Sequence, residues 1–206
     1  MYDLINNHVQ IILATIPQNH VTDYDWLIQN LPQAGTPQYQ ADYQNYWGMN
    51  AARLNAAYRG IYFQALQAAL ANPPILGNLV QELYQTPTHA NGRQSLQFSF
   101  ATKLLHMVNP NSPIYSKEVA AFYFFQEPDH ALQQRIDELV DFHNFLSSNE
   151  YTRVLTNGLL TFSIQAFRAQ FNPQHFTDVK IIDSLIWAFV LLLNNGALMN
   201  GQIIYH

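Results

Sequence analysis

The chain has no cysteine, so it carries neither a disulfide nor a thiolate metal ligand. That usage fits a reducing compartment, and the expected location is cytoplasmic. Charge is also scarce. Only 11% of the 206 residues are charged, against roughly 25% in an average globular chain. Nine residues are Lys or Arg, and the net charge is −5. Nucleic-acid binders usually present a strongly basic face, so any such face here must be local. Long apolar runs are missing as well. The most apolar segment, Ile181 to Leu193, is 13 residues long and contains Asp183. A membrane span needs about 20 apolar residues, so this segment reads as a buried core helix and no membrane association is expected. No basic stretch followed by an apolar run opens the chain, so no leader is expected.

Several chemical signatures are absent too. There is no Walker loop, no Gly-x-Gly-x-x-Gly turn, no His-Glu-x-x-His helix and no Gly-x-Ser-x-Gly elbow. His8, His20, His89, His130, His175 and His206 are isolated in sequence. No metal or cofactor is expected.

What is present is a helix-forming chain, 49% hydrophobic and 14% aromatic, enough to bury a sizeable core. Helical period dominates and strand alternation is scarce. Leu4 to Ile16 reads as a first helix that Pro17 ends, and Asp25 to Leu31 as a short second one. Ala41 to Ala71 reads as the longest helix, with Gly48 as a kink or a break and Asn72-Pro73-Pro74 as its stop. Leu76 to Leu83, Leu96 to Val108 and a helix capped by Ser116 follow. Asp129 is expected to cap the next, and segments 151–170 and 177–193 complete the set. Asn195-Gly196 is a helix stop. The expected fold is a single all-α, compact multi-helix domain over residues 1–206. A two-lobed arrangement would divide it near 73–74 or 87.

Lys103 is the most informative charge. It stands on an apolar helix, where it either snorkels to the surface or sits desolvated with a lowered pKa suited to a Schiff base or anion contact. His106 is three residues on and shares its side of the helix, so the pair is a candidate catalytic couple in a small-molecule pocket. Ser116 opens a helix whose free N–H groups attract anions. Arg53, Arg59, Arg93 and Lys117 fall, with Lys103, in a middle third that holds few acids, and are the candidate nucleic-acid contacts. Lys180 and Asp183, three apart, are expected to bridge across one turn. Asp137, Glu138 and Asp141 read as a solvated face. Tyr115, Phe122, Tyr123, Phe124 and Phe125 form a dense aromatic group that would suit a protein partner if exposed.

The run Phe100-Ala101-Thr102-Lys103-Leu104-Leu105-His106, continued by Asn109-Pro110 and Pro113-Ile114-Tyr115-Ser116, resembles a motif of uncharacterised bacterial proteins related to the helix-hairpin-helix DNA glycosylases. Lys180-Ile181-Ile182-Asp183-Ser184-Leu185-Ile186-Trp187 is similar to a second element of that family. The resemblance covers about a quarter of the chain. It implies an all-α glycosylase-like fold with a cleft, DNA as partner, and chemistry on a flipped base assisted by an Asp and, in some members, a Lys nucleophile. The chain departs from the pattern twice. No Gly-x-Gly hairpin precedes Phe98, and Ser116 stands where the relatives carry Asp. The resemblance therefore implies a glycosylase-like protein, DNA-interacting and catalytically degenerate. Lys103, His106 and Ser116 are its candidate catalytic residues. The alternative is a non-enzymatic helical interaction or regulatory module.

Overall fold

Helical period without alternation yields helices alone. The computed structural model describes residues 1–196, and among these the chain is all-α with no strand. His206 lies outside the described residues. In chain order the helices are α1 (Tyr2–Asn7), α2 (Val9–Thr15), α3 (Gln18–Gln29), α4 (Pro37–Tyr46), α5 (Ala56–Ala71) and α6 (Leu76–Tyr84). They continue with α7 (Phe98–Val108), α8 (Lys117–Phe122), α9 (Leu132–Phe145), α10 (Tyr151–Thr156), α11 (Thr161–Phe171) and α12 (Asp178–Asn194). A 3₁₀ turn, Leu31–Gln33, lies between α3 and α4, and a π-helical turn, Leu146–Glu150, joins α9 to α10.

α12 is the axis of the fold. It is apolar around nearly its whole circumference, and such a helix must be covered on all sides. Ile181, Ile182, Leu185, Ile186 and Phe189 are fully buried, each contributing about 2 kcal/mol of apolar burial. α2, α8 and α11 pack around it, with α1 and α10 at its flanks. Among the described residues no helix is long and apolar enough to cross a membrane. The remaining helices extend this core, α3 against α4 and α6 against α7 and α9. α5 packs on both α6 and α7, across the 73–74 and 87 segments.

Boundaries differ from expectation where local backbone chemistry wins. The long 41–71 helix is two helices, because Gly48 adopts φ +73° and ends α4. Asn55 then caps α5, accepting the Tyr58 N–H at 2.8 Å. The first helix breaks at His8, and the second starts at Gln18 rather than Asp25, with Pro17 as its N-cap. Asp129 does not cap α9; Ala131 holds that position. The 151–170 segment is interrupted at Gly158, φ +64°. Ser116 does cap α8, through the Val119 N–H at 3.2 Å. Thr177 caps α12 through the Lys180 N–H at 3.2 Å and donates its own hydroxyl to Pro110 O at 2.6 Å.

Candidate functional site

The double-proline loop after α7 is held by buried side chains. A loop turned inward must find partners for its backbone groups, and here the partners come from α7, α9 and α12. His106 Nδ1 lies 2.7 Å from Ser112 O. A carbonyl only accepts, so Nδ1 carries the proton and Nε2 accepts from the Tyr24 hydroxyl at 2.7 Å. His143 Nε2 donates to Pro113 O at 3.0 Å. Asp183 Oδ2 accepts the Ile114 N–H at 3.0 Å. Thr102 Oγ1 accepts the Tyr115 N–H at 3.0 Å, and Ser99 Oγ donates to Tyr115 O at 2.9 Å. The loop is thereby fixed between α7 and α12, and it delivers the start of α8 to a cavity of about 220 Å³.

The walls of that cavity are aromatic. Tyr46 and Trp47 come from the end of α4, and Trp187 from α12. His20 of α3 lies between Tyr46 and Trp187, with ring centroids 5.5 Å away on each side and interplanar angles of 27° and 11°. Ser184 uses its one hydroxyl proton on Lys180 O at 2.9 Å, so His20 Nε2 donates to Ser184 Oγ at 3.1 Å. Burial, aided by Lys180, pulls His20 down to about 3, so the imidazole is neutral at physiological pH. On the other side of this wall a second depression, of about 630 Å³, carries Asp23 and Asp42.

Two amines and two carboxylates line the same cavity. Lys180, 3% exposed, sits among aromatic faces. Its Nζ is 5.1 Å from the ring centres of Tyr24 and Trp47, 5.7 Å from that of Phe176 and 5.8 Å from that of Tyr46. Among the described residues no group accepts a hydrogen bond from this Nζ, and no carboxylate lies within 4.0 Å of it. Burial lowers its pKa and the Asp183 charge opposes the shift. The expected Lys180–Asp183 bridge is absent. Asp183 faces Tyr151 instead, whose hydroxyl donates to Oδ1 at 2.6 Å. Burial raises the Asp183 pKa, opposed by the Tyr151 hydrogen bond, by Lys180 and by the Ile114 N–H. Ser116 and Glu118 line the opening turn of α8.

Lys103 does not snorkel. Its Nζ donates to Trp47 O at 3.2 Å and lies 4.5 Å from the Phe100 ring centre. Burial lowers it from 10.5 to about 8, against the pull of Glu118. The folded chain therefore releases this proton before the unfolded chain does. Stability is fully present above 10.5 and is lost as pH falls through about 8. Urea unfolding at pH 7 and pH 9.5 is expected to show a gain of roughly 1–2 kcal/mol on going to the higher pH. Lys103→Met is expected to reduce that gain relative to wild type, leaving the part that the buried Lys180 contributes. An unchanged pH response in the variant would place the amine in solvent.

The candidate residues separate accordingly. Lys103 and Ser116 come together at the cavity, whereas His106 is sealed behind it in bonds to Tyr24 and the loop. His106 is thus a structural partner of the Ser112 carbonyl rather than the second member of a catalytic couple. Arg53, Arg59, Arg93 and Lys117 do not line the cavity. The 53–59 and 88–93 segments adjoin through the Asn55 N–H to Thr88 O and the Thr88 N–H to Arg93 O. Arg59 Nη1 donates to Gln44 and Asn50. Lys117 is beside the cavity only through its neighbours Ser116 and Glu118. Asp137 and Glu138 bond to Gln133 and Gln134 on the surface of α9. Lys180, Asp183, Glu118, His20 and Trp187 are the site residues that sequence reasoning did not assign. Comparison with protein-family models, curated proteins and solved structures finds no match.

Proposed function

We propose that this is a glycosylase-like, DNA-interacting protein whose cavity receives one unstacked base. The observation that carries the reading is the placement of two desolvated amines and two carboxylates inside one aromatic-walled cavity of base size. Aromatic walls suit an extruded base. An amine that burial lowers to about 8 frees its lone pair near neutral pH more readily than an ordinary lysine. Ser116 supplies no carboxylate, but Glu118 and Asp183 line the same space, so loss of the Asp at 116 does not leave it without one. In the proposed reaction Lys180, an ammonium at rest, releases a proton to solvent, and the lone pair so freed bonds to C1′ of the sugar as the C1′–N bond breaks. The base departs with that bond's electrons and takes a proton from water. Asp23 and Asp42 repel phosphate on the far side of the His20 wall, so the strand approaches from the Ser116–Lys117 side.

The test is fluorescence anisotropy with labelled duplex, intact or carrying an abasic analogue, at low and moderate salt. Borohydride trapping on a natural abasic duplex accompanies it. Salt-sensitive binding that prefers the abasic duplex is expected, with a covalent adduct that Lys180→Ala loses. Absence of binding at low salt would retire the DNA reading. A second reading, a protein-partner module, draws on Phe124, which is 74% exposed at φ +55°. Tyr115 and Phe122 of the same aromatic group are buried.

A further inference from the structure

Among the described residues two charged groups of the cavity lack hydrogen-bond partners, and their chemistry defines what would supply them. Glu118 is 8% exposed. Lys117, 91% exposed, pairs with it at 3.8 Å and Lys103 feels its charge, but among the described residues no N–H or O–H donates to its carboxylate. Lys180 is 3% exposed, and among the described residues its Nζ has no acceptor. The other charged or imidazole groups are served, while the Tyr46 hydroxyl and Trp47 Nε1 are further buried donors without a partner among the described residues. Asp183 accepts two hydrogen bonds, His20 donates to Ser184, and Lys103 donates to Trp47 O. A buried charge without hydrogen bonds is costly to keep. A cavity that keeps one acceptor-only group and one donor-only group unserved is complementary to a ligand bearing both a donor and an acceptor.

The body of that ligand follows from the walls. Trp47 and Trp187 line it beside the His20–Tyr46 stack, and about 220 Å³ admits a single flat ring system. We infer that the cavity binds an uncharged planar heterocycle of the lactam type, an oxopyrimidine or oxopurine, whose ring N–H is accepted by Glu118 and whose carbonyl oxygen accepts from Lys180. Glu118 is then the specificity-determining residue. A ring with the same carbonyls but no N–H leaves its carboxylate buried and unpaired, the arrangement that discriminates most strongly between close analogues. The inference deepens the base-receiving reading by naming the substrate class, and it requires only the free heterocycle.

The experiment is calorimetric titration of the full chain with uracil and its N,N′-dimethyl derivative, and with xanthine and its trimethyl derivative, caffeine. The parent rings are expected to bind, and the methylated rings to bind roughly tenfold or more weakly. Glu118→Met is expected to erase the difference by removing the acceptor, and Lys180→Met to weaken both members of each pair. Equal binding of parent and methylated rings by the wild-type chain would overturn the inference. So would failure of both parent rings to bind, or a preference that survives in Glu118→Met. The native panel decides the matter even if a variant fails to fold. Duplex binding without ring preference would remove this inference and leave the DNA reading. Ring preference without duplex binding would do the reverse.

Discussion

Replacing Lys180 by methionine is expected to raise the thermal midpoint by roughly 4–8 °C, about 2 kcal/mol, while abolishing the borohydride adduct. The side chain is buried, its amine has no hydrogen-bond acceptor among the described residues, and its charge is desolvated. Aromatic faces at 5.1 Å offset part of that cost, but a thioether of similar length fits the same slot without any desolvation. Asp183 retains the Tyr151 and Ile114 donors in the variant, so no new unpaired charge is created. Differential scanning calorimetry at neutral pH reads the effect. A lower midpoint would show that the amine stabilises the fold, and the view that it is retained for chemistry would be wrong. Gains in stability on losing a site group are the usual sign of a functional compromise.

His106→Ala is expected to act in the opposite direction, with a loss on the order of 4 kcal/mol. The ring is fully buried and both nitrogens are bonded. Truncation leaves a void beside Trp47 and strands the Tyr24 hydroxyl and the Ser112 carbonyl. Because the loop then loses one of its ties to α7 and keeps those of Ser99 and Thr102, the start of α8 loosens and ring binding falls with stability. Chemical denaturation followed by far-ultraviolet circular dichroism measures the first effect. A variant as stable as the wild type yet unable to react would make His106 a participant in the chemistry after all.

Periodicity revealed most of the helices and the burial of α12, because both depend on neighbours within a turn or two. Ser116 as a cap was legible for the same reason. The 41–71 segment was harder, since a single glycine decides between a kink and a break, and the left-handed conformation at Gly48 broke it. The site was half legible. Lys103 stood out as a charge on an apolar helix. Lys180 and Asp183 did not, because spacing alone favoured a bridge between them. What separates them comes from distant segments: Tyr24, Trp47 and Phe176 surround the amine, and Tyr151 and Ile114 take the carboxylate. Glu118 looked like any first-turn acid, and only the fold shows that its carboxylate faces inward.

The π-helical turn at Leu146–Glu150 sets a limit on how this protein can change over evolutionary time. It ends at Tyr151, whose hydroxyl reaches Asp183. Each residue of an α-helix advances the chain by about 100° of rotation, so deleting one residue from the turn would swing Tyr151 away from its carboxylate by that amount. Compensation by a shift elsewhere is blocked, because α10 packs against α12 as well as against the turn. Length in this stretch is therefore under tighter constraint than side-chain identity: Ser147, Ser148 and Asn149 can drift, whereas a one-residue deletion disconnects the carboxylate from its donor.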